Sequence, residues 1–380
     1  MIAAPVLVAL FALGAAAEPA IVSDERIDLV GLVERLSGDP AAAVNPESDA
    51  AAERFSRWKA HPAVADLSRM RSGGFAGNVP AQYAVYLSTP PELRERYAPP
   101  NFFALLAGGA KPLAVWREDL ADFVRVSGFE EWERERAPRR DAELAAVRAA
   151  AGGRELGGPL AKYLGARTWA SWTVVVSPFF PHGGSASWVL EEKPGRPDIV
   201  VVYGPDRSPG LFGVKRRSGL FRRRARLDPA AEFASAVWPE AVFSMTYAIY
   251  EACRPVIKPA PGVCRGQTGL SDAEDCIQQS WVRGVVASLL ESEYGSAEAK
   301  AYRAFSPPTT YQDRVDAALL AYEKDRAASP DLMAASGSLL APFQADGLAP
   351  ACRVEDHSRD AEEVYARRFK YYQEGRAAVQ

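Results

Sequence analysis

The sequence predicts an α+β fold: a helical N-terminal region, then a small sheet, then a second group of helices. Apolar residues recur at helical spacing within 27–36 and 102–157, whereas 172–203 is rich in β-branched and aromatic residues. The first pattern is typical of helices and the second of strands. Because the two kinds of element follow each other in blocks and do not alternate, α+β is favoured over α/β.

The helical region before the sheet contains one interruption that is rich in proline. Residues 50–60 predict a helix that stops before His61, and the prolines of 78–100 predict a connection over the surface. Charged and apolar residues then alternate at helical spacing as far as Gly157. The large side chains expected in a core there are Phe123, Phe129 and Trp132.

The central region is expected to form a small antiparallel sheet, which helices follow. Gly and Pro separate three strand-like runs, 172–176, 185–190 and 199–203. Helices return at Asp228, and the pair Ser271 and Glu274 forms a capping box for a helix that runs to about residue 294. The regions expected after residue 17 are a helical region, 18–165; a core, 166–350; and a C-terminal helical tail, 351–380.

Composition indicates a globular protein and argues against nucleic acid as a partner. Of the 380 residues, 48% are hydrophobic and 24% are charged, and the formal net charge is −3. These proportions are ordinary for a globular chain. A chain so close to neutral has no overall field that would recruit nucleic acid or a membrane. Any electrostatic partner would therefore bind through a local patch.

The first 17 residues predict a signal peptide. They form one short apolar run, and Ala15 and Ala17 supply the small residues of an A-x-A cleavage site. The run has no Lys or Arg before it, which leaves an uncleaved anchor or a misassigned start as the alternatives. No later segment is apolar over the roughly 20 residues that a membrane span needs. We expect an exported protein, periplasmic or extracellular, without a transmembrane segment after cleavage.

Export would place the four cysteines in an oxidising compartment. Their even number favours two structural disulfides over a metal cluster, because no C-x-x-C pair is present. Four cysteines allow three pairings, and the sequence does not choose among them. The candidate disulfide residues are Cys253, Cys264, Cys276 and Cys352.

Several short motifs occur in an order that is similar to a known family. They are VSDERIDLVGLVERLSGDP (22–40), FSRWKAHPAV (55–64), NFFALLAGG (101–109), DFVRVSGFEEW (122–132), WTVVVSPFFPHGG (172–184), PEAVFS (239–244) and QQSWVRGVV (278–286). Over roughly residues 22–343, the chain resembles a bacterial family of secreted proteins of unknown function. Many members carry an H-E-x-x-H helix of the gluzincin type. The resemblance implies a zincin-like core, with site helices after the sheet.

The resemblance also implies that the zinc site of the family has been lost here. H-E-x-x-H places two imidazoles one helical turn apart as zinc ligands, with the Glu as general base. In this chain Pro239 and Phe243 stand at the two His positions, and Gln279 stands at the position of the third, acidic ligand. Pro and Phe have no donor atom, and an amide is a poor zinc ligand. No metal or other cofactor is therefore expected.

Glu240 is the one site residue of that motif which remains, and two interpretations of it stay open. It can be a first-turn carboxylate, stabilised by the helix dipole after Pro239 at the start of a helix. It can also be a retained acid/base group in a remodelled pocket that Phe243 partly fills. His182, in the turn after the strand 172–176, is a candidate residue of the same cleft.

A basic segment between the sheet and Glu240 is a candidate surface-binding element. Its cations flank Leu220 and Phe221, a pattern that suits an anionic interface, although a solvated loop is the simpler interpretation. Its basic residues are Lys215, Arg216, Arg217, Arg222, Arg223, Arg224 and Arg226.

These features favour a secreted, catalytically inactive metallopeptidase homologue that binds a peptide, a protein or an anionic surface. The alternative is an active hydrolase with remodelled chemistry that uses Glu240 and His182. A purely structural envelope protein is the third hypothesis.

Overall fold

A computed structural model of the chain shows a small sheet between two layers of helices. It describes residues 18–40, 42–164, 171–180, 185–193, 196–204, 228–253, 273–305, 311–330, 332 and 335. The strands are β1, Ala20–Val22; β2, Ser171–Val176; β3, Ser185–Lys193; and β4, Arg196–Tyr203. The helices are α1, Glu25–Leu36; α2, Pro46–Arg54; α3, Pro62–Arg71; α4, Val79–Ala84; α5, Phe102–Leu106; α6, Ala110–Ser127; α7, Phe129–Ala150; α8, Gly157–Leu164; α9, Pro229–Cys253; α10, Ala273–Tyr294; α11, Ser296–Phe305; and α12, Gln312–Lys324. The predicted α+β class is confirmed.

The sheet is mixed, so the antiparallel sheet expected from the sequence is wrong. Its strand order is β1-β2-β4-β3. Strand β1 is parallel to β2, and β2 is parallel to β4; only β3 and β4 form an antiparallel pair. All three predicted strands are present, because runs of β-branched residues favour the extended conformation of a strand. Such runs do not specify the partner of a strand, and the three residues of β1 are too few to show a periodic pattern.

Both faces of the sheet are buried, each under a different group of helices. Side chains alternate along a strand, so Trp172, Val174 and Val176 face one side and Val175 faces the other. The first set belongs to a core that includes residues of the later helices, such as Trp238. Val175 belongs to a core built mainly from α1 to α7. A three-layer arrangement follows, with the sheet as the shared middle layer.

The N-terminal layer is dense in aromatic side chains. Phe123, Phe129 and Trp132 are all buried, as the sequence predicts. The buried indole of Trp116 donates a hydrogen bond from Nε1 to the carbonyl oxygen of Ala63 at 3.0 Å. Its polar atom is therefore satisfied inside the core, as buried indoles require.

Two predicted boundaries in this layer need correction. The segment 78–100 is not a surface connection: it contains α4, and its large apolar residues are buried. Prolines alone suggested a loop, but one of them lies in the first turn of α4, where proline is tolerated. The helix expected over 50–60 is α2 followed by one 3-10 turn, Ser56–Trp58. The buried residues of 78–100 are Pro80, Ala81, Tyr83, Ala84, Val85, Tyr86, Leu87 and Leu93.

The C-terminal layer begins with α8, whose first turn is capped from the start of the chain. The Glu18 carboxylate accepts hydrogen bonds from the backbone N–H groups of Leu156, Gly157 and Gly158 at 2.8, 2.9 and 3.2 Å. The first N–H groups of a helix have no partner within the helix, and a carboxylate there also interacts favourably with the helix dipole. Glu18 thus fixes the entry to β1 against the opposite layer.

The remaining helices agree with the sequence where they are described. Helix α9 begins after Asp228, whose Oδ1 accepts a hydrogen bond from Ala230 N at 2.8 Å. Helix α10 ends at Tyr294, as predicted, but the capping Ser271 lies outside the described residues. The helix expected over 360–376 also lies outside them. Among the helices that are described, none has the length and apolar character needed to cross a membrane.

Residues 177–180, called here the β2–β3 segment, follow β2 and pack against the N-terminal layer. Asn45, the N-cap of α2, donates from Nδ2 to the carbonyl oxygen of Pro178 at 2.6 Å. Gly31 of α1 packs directly on Phe179: a Cβ added to Gly31 would lie 2.6 Å from Phe179 Cβ and closer still to its carbonyl oxygen. The close contact of α1 with this segment therefore depends on the missing side chain.

We expect Gly31→Ala to destabilise the protein despite the better helix propensity of alanine. The propensity gain is about 1 kcal/mol, whereas overpacking against backbone costs about 1–3 kcal/mol. Urea unfolding should show a net loss of stability. Gly158→Ala is the matched control, because its added Cβ would meet only the side chain of Glu155. Equal stability of Gly31→Ala and the wild type would show that α1 can move away from Phe179 at no cost.

Candidate functional site

Glu240 lies on α9, half-buried, where this helix packs against the edge strand β3. Ser185 and Ser187 of β3 point to the same side of the strand because they are two residues apart. Ser185 Oγ lies 3.1 Å from Glu240 Oε1, and Ser187 Oγ lies 3.1 Å from Glu240 Oε2. Ser187 Oγ also lies 2.9 Å from the carbonyl oxygen of Glu240. The two serines thus hold both the side chain and the backbone of Glu240.

A third hydroxyl completes the cluster from within α9. Ser244 follows Glu240 by four residues and so lies on the same face of the helix. Its Oγ donates a hydrogen bond to Ser187 Oγ at 2.8 Å. The three serines and Glu240 form one chain of hydrogen bonds, called here the Glu240 cluster. All four residues are half-buried.

A buried tyrosine lies close enough to Glu240 to interact electrostatically with it, and an arginine acts on the same tyrosine. Tyr302 of α11 is buried, with 7% of its surface exposed. Burial raises the pKa of the Tyr302 hydroxyl, the Arg283 guanidinium lowers it, and the Glu240 carboxylate raises it, so that the net direction is upward. Tyr302 therefore stays neutral around pH 7 and is not a candidate base.

The position of Pro239 corrects the sequence analysis. Pro239 lies inside α9 and not at the first turn of a helix, because α9 already begins at Pro229. Asp228 and Pro229 supply the start signal that had been assigned to Pro239. A proline inside a helix cannot donate to the carbonyl four residues earlier, here that of Ser235, and costs about 3 kcal/mol in an isolated helix. Packing of the buried residues around it, Trp238 and Ala241 among them, offsets this cost.

The structure places the other two positions that the resemblance assigns to metal ligands in different surroundings. Phe243 is partly buried and packs against the C-terminal core. Gln279 lies on α10 and is exposed. An exposed amide on one helix and a core-packing phenyl ring on another do not form a ligand set. Within the described parts of the chain, no group of three or more His, Cys, Asp or Glu residues could hold a metal ion.

Several predicted site residues lie outside the described residues. They include His182 and the whole basic segment, namely Lys215, Arg216, Arg217, Arg222, Arg223, Arg224 and Arg226, as well as Cys264, Cys352 and the side chain of Cys253. Cys276 is fully buried and disulfide-bonded. The side chain of its partner is not among the described ones, so the pairing of the cysteines stays a prediction.

The serines of the Glu240 cluster were missed by sequence reasoning, although a signal for them exists. Ser185 and Ser187 alternate with Ala186 in a strand, which places two hydroxyls on one face and a methyl group on the other. Ala186 and Leu190 do pack into the N-terminal core. A strand with apolar residues on one face and serines on the other predicts a polar partner for the second face.

Comparison with family models, curated proteins and solved structures finds no match to this chain.

We expect Ser187→Ala to lower the free energy of unfolding by about 1–2 kcal/mol, because it removes the hydroxyl that contacts both the side chain and the backbone of Glu240. The change is measured by urea denaturation. Ser235→Ala on the same helix is the control, since its Oγ donates only to Glu232 of its own helix, at 2.7 Å. An equally small effect of both variants would mean that the Glu240 cluster does not tie α9 to β3.

Proposed function

We propose that this chain is an exported binding protein that takes a peptide or protein segment beside Glu240 and carries no zinc-peptidase chemistry. The observation that supports the proposal best is the set of hydrogen bonds between Glu240 and the serines of β3. They give Glu240 a positioning role between a helix and an edge strand. The resemblance to a metallopeptidase-like family supplies the expectation that this region faces a polypeptide.

The surroundings of Glu240 differ from those that its catalytic role would need. A general base in a zinc peptidase acts on a metal-bound water, so its carboxylate must point toward a metal and its ligands. Here each carboxylate oxygen lies 3.1 Å from a serine hydroxyl, and the next turn of the helix carries Phe243 and Ser244. Such a carboxylate suits recognition of a donor group, for example a backbone N–H.

Strand β3 supports a polypeptide as the ligand. It is the last strand of the described sheet, in the order β1-β2-β4-β3, and it is nine residues long. An edge strand presents a row of backbone donors and acceptors, to which an extended peptide can add as a further strand. Ser185 and Ser187 are the first and third residues of this strand. Together with Glu240 they would contact the side chains of a bound peptide at that end of the strand. The basic segment 215–226 would add contact with an anionic surface.

Zinc retention and peptide binding test the proposal together. Purified without chelators, the protein should retain far less than one zinc per chain by mass spectrometry, because Pro239 and Phe243 offer no donor atoms. A random peptide library of about ten residues, the length of a strand, should yield retained sequences. Glu240→Lys should weaken their binding about tenfold or more through charge reversal. Glu291→Lys, an exposed position on α10, is the matched control.

Three outcomes would contradict the proposal. One zinc per chain together with chelator-sensitive cleavage of the library would indicate an active zinc peptidase. Covalent labelling of Ser185 or Ser187 by a fluorophosphonate would instead indicate a hydrolase in which Glu240 activates a serine, a role for which the 3.1 Å distance is short enough. Glu240→Gln should then abolish the labelling. The third outcome is a protein that holds no zinc, cleaves no peptide and is not labelled, but whose peptide binding is not weakened by Glu240→Lys. The ligand would then contact another surface.

A further inference from the structure

Three carboxylates converge on a single buried guanidinium in the N-terminal layer. Arg136 of α7 donates from Nη1 to Asp28 Oδ2 and to Glu133 Oε1, both at 2.6 Å, and from Nη2 to Glu47 Oε1 at 2.7 Å. Asp28 lies on α1, Glu47 on α2 and Glu133 on α7. All four residues are at most 8% exposed. They are called here the Arg136 cluster.

The Arg136 cluster is covered by aromatic rings on the side of the sheet. The guanidinium carbon of Arg136 lies 4.7 Å from the ring centre of Trp132 and 5.1 Å from that of Phe179. Both distances are within the range of cation–π attraction. Since Phe179 belongs to the β2–β3 segment, the cation contacts the segment directly.

A second contact joins the same segment to a carboxylate of the cluster. Ser177 donates from Oγ to Asp28 Oδ1 at 2.5 Å and accepts a hydrogen bond from Phe179 N at 3.2 Å. Ser177 is fully buried. The ionisation of the cluster and the position of the β2–β3 segment are therefore linked through two residues, Ser177 and Phe179.

In the described part of the chain, further charged groups near the cluster lie toward solvent, on α1 and α7. Arg140 Nη1 lies 2.8 Å from Glu133 Oε2 and 3.9 Å from Glu25 Oε1. Arg139 lies 3.6 Å from Glu47 Oε2 and 3.4 Å from Glu143 Oε1. The side chains of Arg139 and Arg140 are 59% and 21% exposed, so solvent weakens their effect on the buried carboxylates.

The buried part of the cluster thus holds more carboxylates than cations. With all three carboxylates ionised, Arg136 faces three negative charges at most 2.7 Å from its nitrogens. Burial raises the pKa of Asp28, and it raises the pKa of Glu133 to about 7, with the nearby Asp28 carboxylate as the next cause. One proton held among these carboxylates removes the repulsion between Asp28 and Glu133.

We propose that the Arg136 cluster is a proton-sensitive latch that holds the β2–β3 segment, residues 177–180, against the N-terminal layer. With Glu133 protonated, Arg136 pairs with Asp28 and Glu47, and Asp28 keeps its hydrogen bond from Ser177. When Glu133 loses its proton, a third carboxylate competes with Asp28 for Nη1 of Arg136, and the contact between Asp28 and Ser177 weakens. The latch thus closes as the pH falls.

The sign of the pH dependence follows from proton linkage. The folded protein holds the Glu133 proton at a pH at which the unfolded chain, with its ordinary pKa near 4.5, has already released it. Stability then decreases as the pH rises from about 4.5 to about 7. The contribution is complete below this window and is lost above it.

Hydrogen exchange at two pH values tests the latch. Corrected for intrinsic exchange, protection of the amides of Ser177, Phe179 and Phe180 should fall about tenfold or more from pH 5.5 to pH 8 in the wild type. Glu133→Gln mimics the protonated carboxyl, so its protection should stay high at both pH values. Asp141→Asn, an exposed position on the same helix, should behave as the wild type. The readout does not depend on any ligand and therefore stands apart from the proposed function.

Two results would overturn the proposal. One is a wild-type protein whose protection in this segment is the same at both pH values. The other is a fall of the same size in Glu133→Gln and in the wild type. If Glu133→Gln does not fold, a carbon-13 NMR titration of the wild-type Glu133 carboxyl decides the question. A midpoint near 7 supports the latch, and a midpoint near 4.5 contradicts it.

Discussion

The ion cluster around Arg136 is the interaction on which the arrangement of the layers depends. It joins α1, α2 and α7 to each other and, through Ser177 and Phe179, to the sheet. Burial of charged groups is costly, and it is tolerated only when every charge has partners. A single truncation at Arg136 would remove the cation that the three buried carboxylates share, and only the more exposed Arg139 and Arg140 would remain beside Glu47 and Glu133. The main effect of the cluster is therefore to specify one arrangement of these helices, and its net contribution to stability is secondary.

The Glu240 cluster on the opposite side of the sheet uses neutral donors for a similar task. Serine hydroxyls on β3 hold the carboxylate of α9, so that the helix, the strand edge and the candidate site are positioned together. Ser177, which contacts the Arg136 cluster, and Ser185 of the Glu240 cluster are eight positions apart in the sequence.

The periodic parts of the fold could be predicted from the sequence, and the parts that depend on long-range partners could not. The β-branched run of β2 and the aromatic residues Phe123, Phe129 and Trp132 were predicted correctly, because local patterns specify strands and buried faces. The parallel pairing of the strands depends on the crossover of the chain, which no local pattern records. Pro239 was misplaced because a proline at a helix start and a proline in a well-packed helix look alike in sequence. Asp28 and Arg136 gave no signal as partners, since 108 positions separate them.

Strand β1 has a consequence for the order in which the chain folds. Ala20 pairs with Thr173, so β1 can join the sheet only after a strand about 150 residues later in the chain has been synthesised. The N-terminal core also includes Val175, Phe179 and Val202 from the sheet. During synthesis, the first seven helices emerge well before these residues, and their inner surface stays exposed in the meantime. Contacts of such high sequence separation are slow to form. The early half of the chain therefore needs protection from aggregation until the sheet has formed. Its many helices, whose contacts are local and form fast, would not suggest this need.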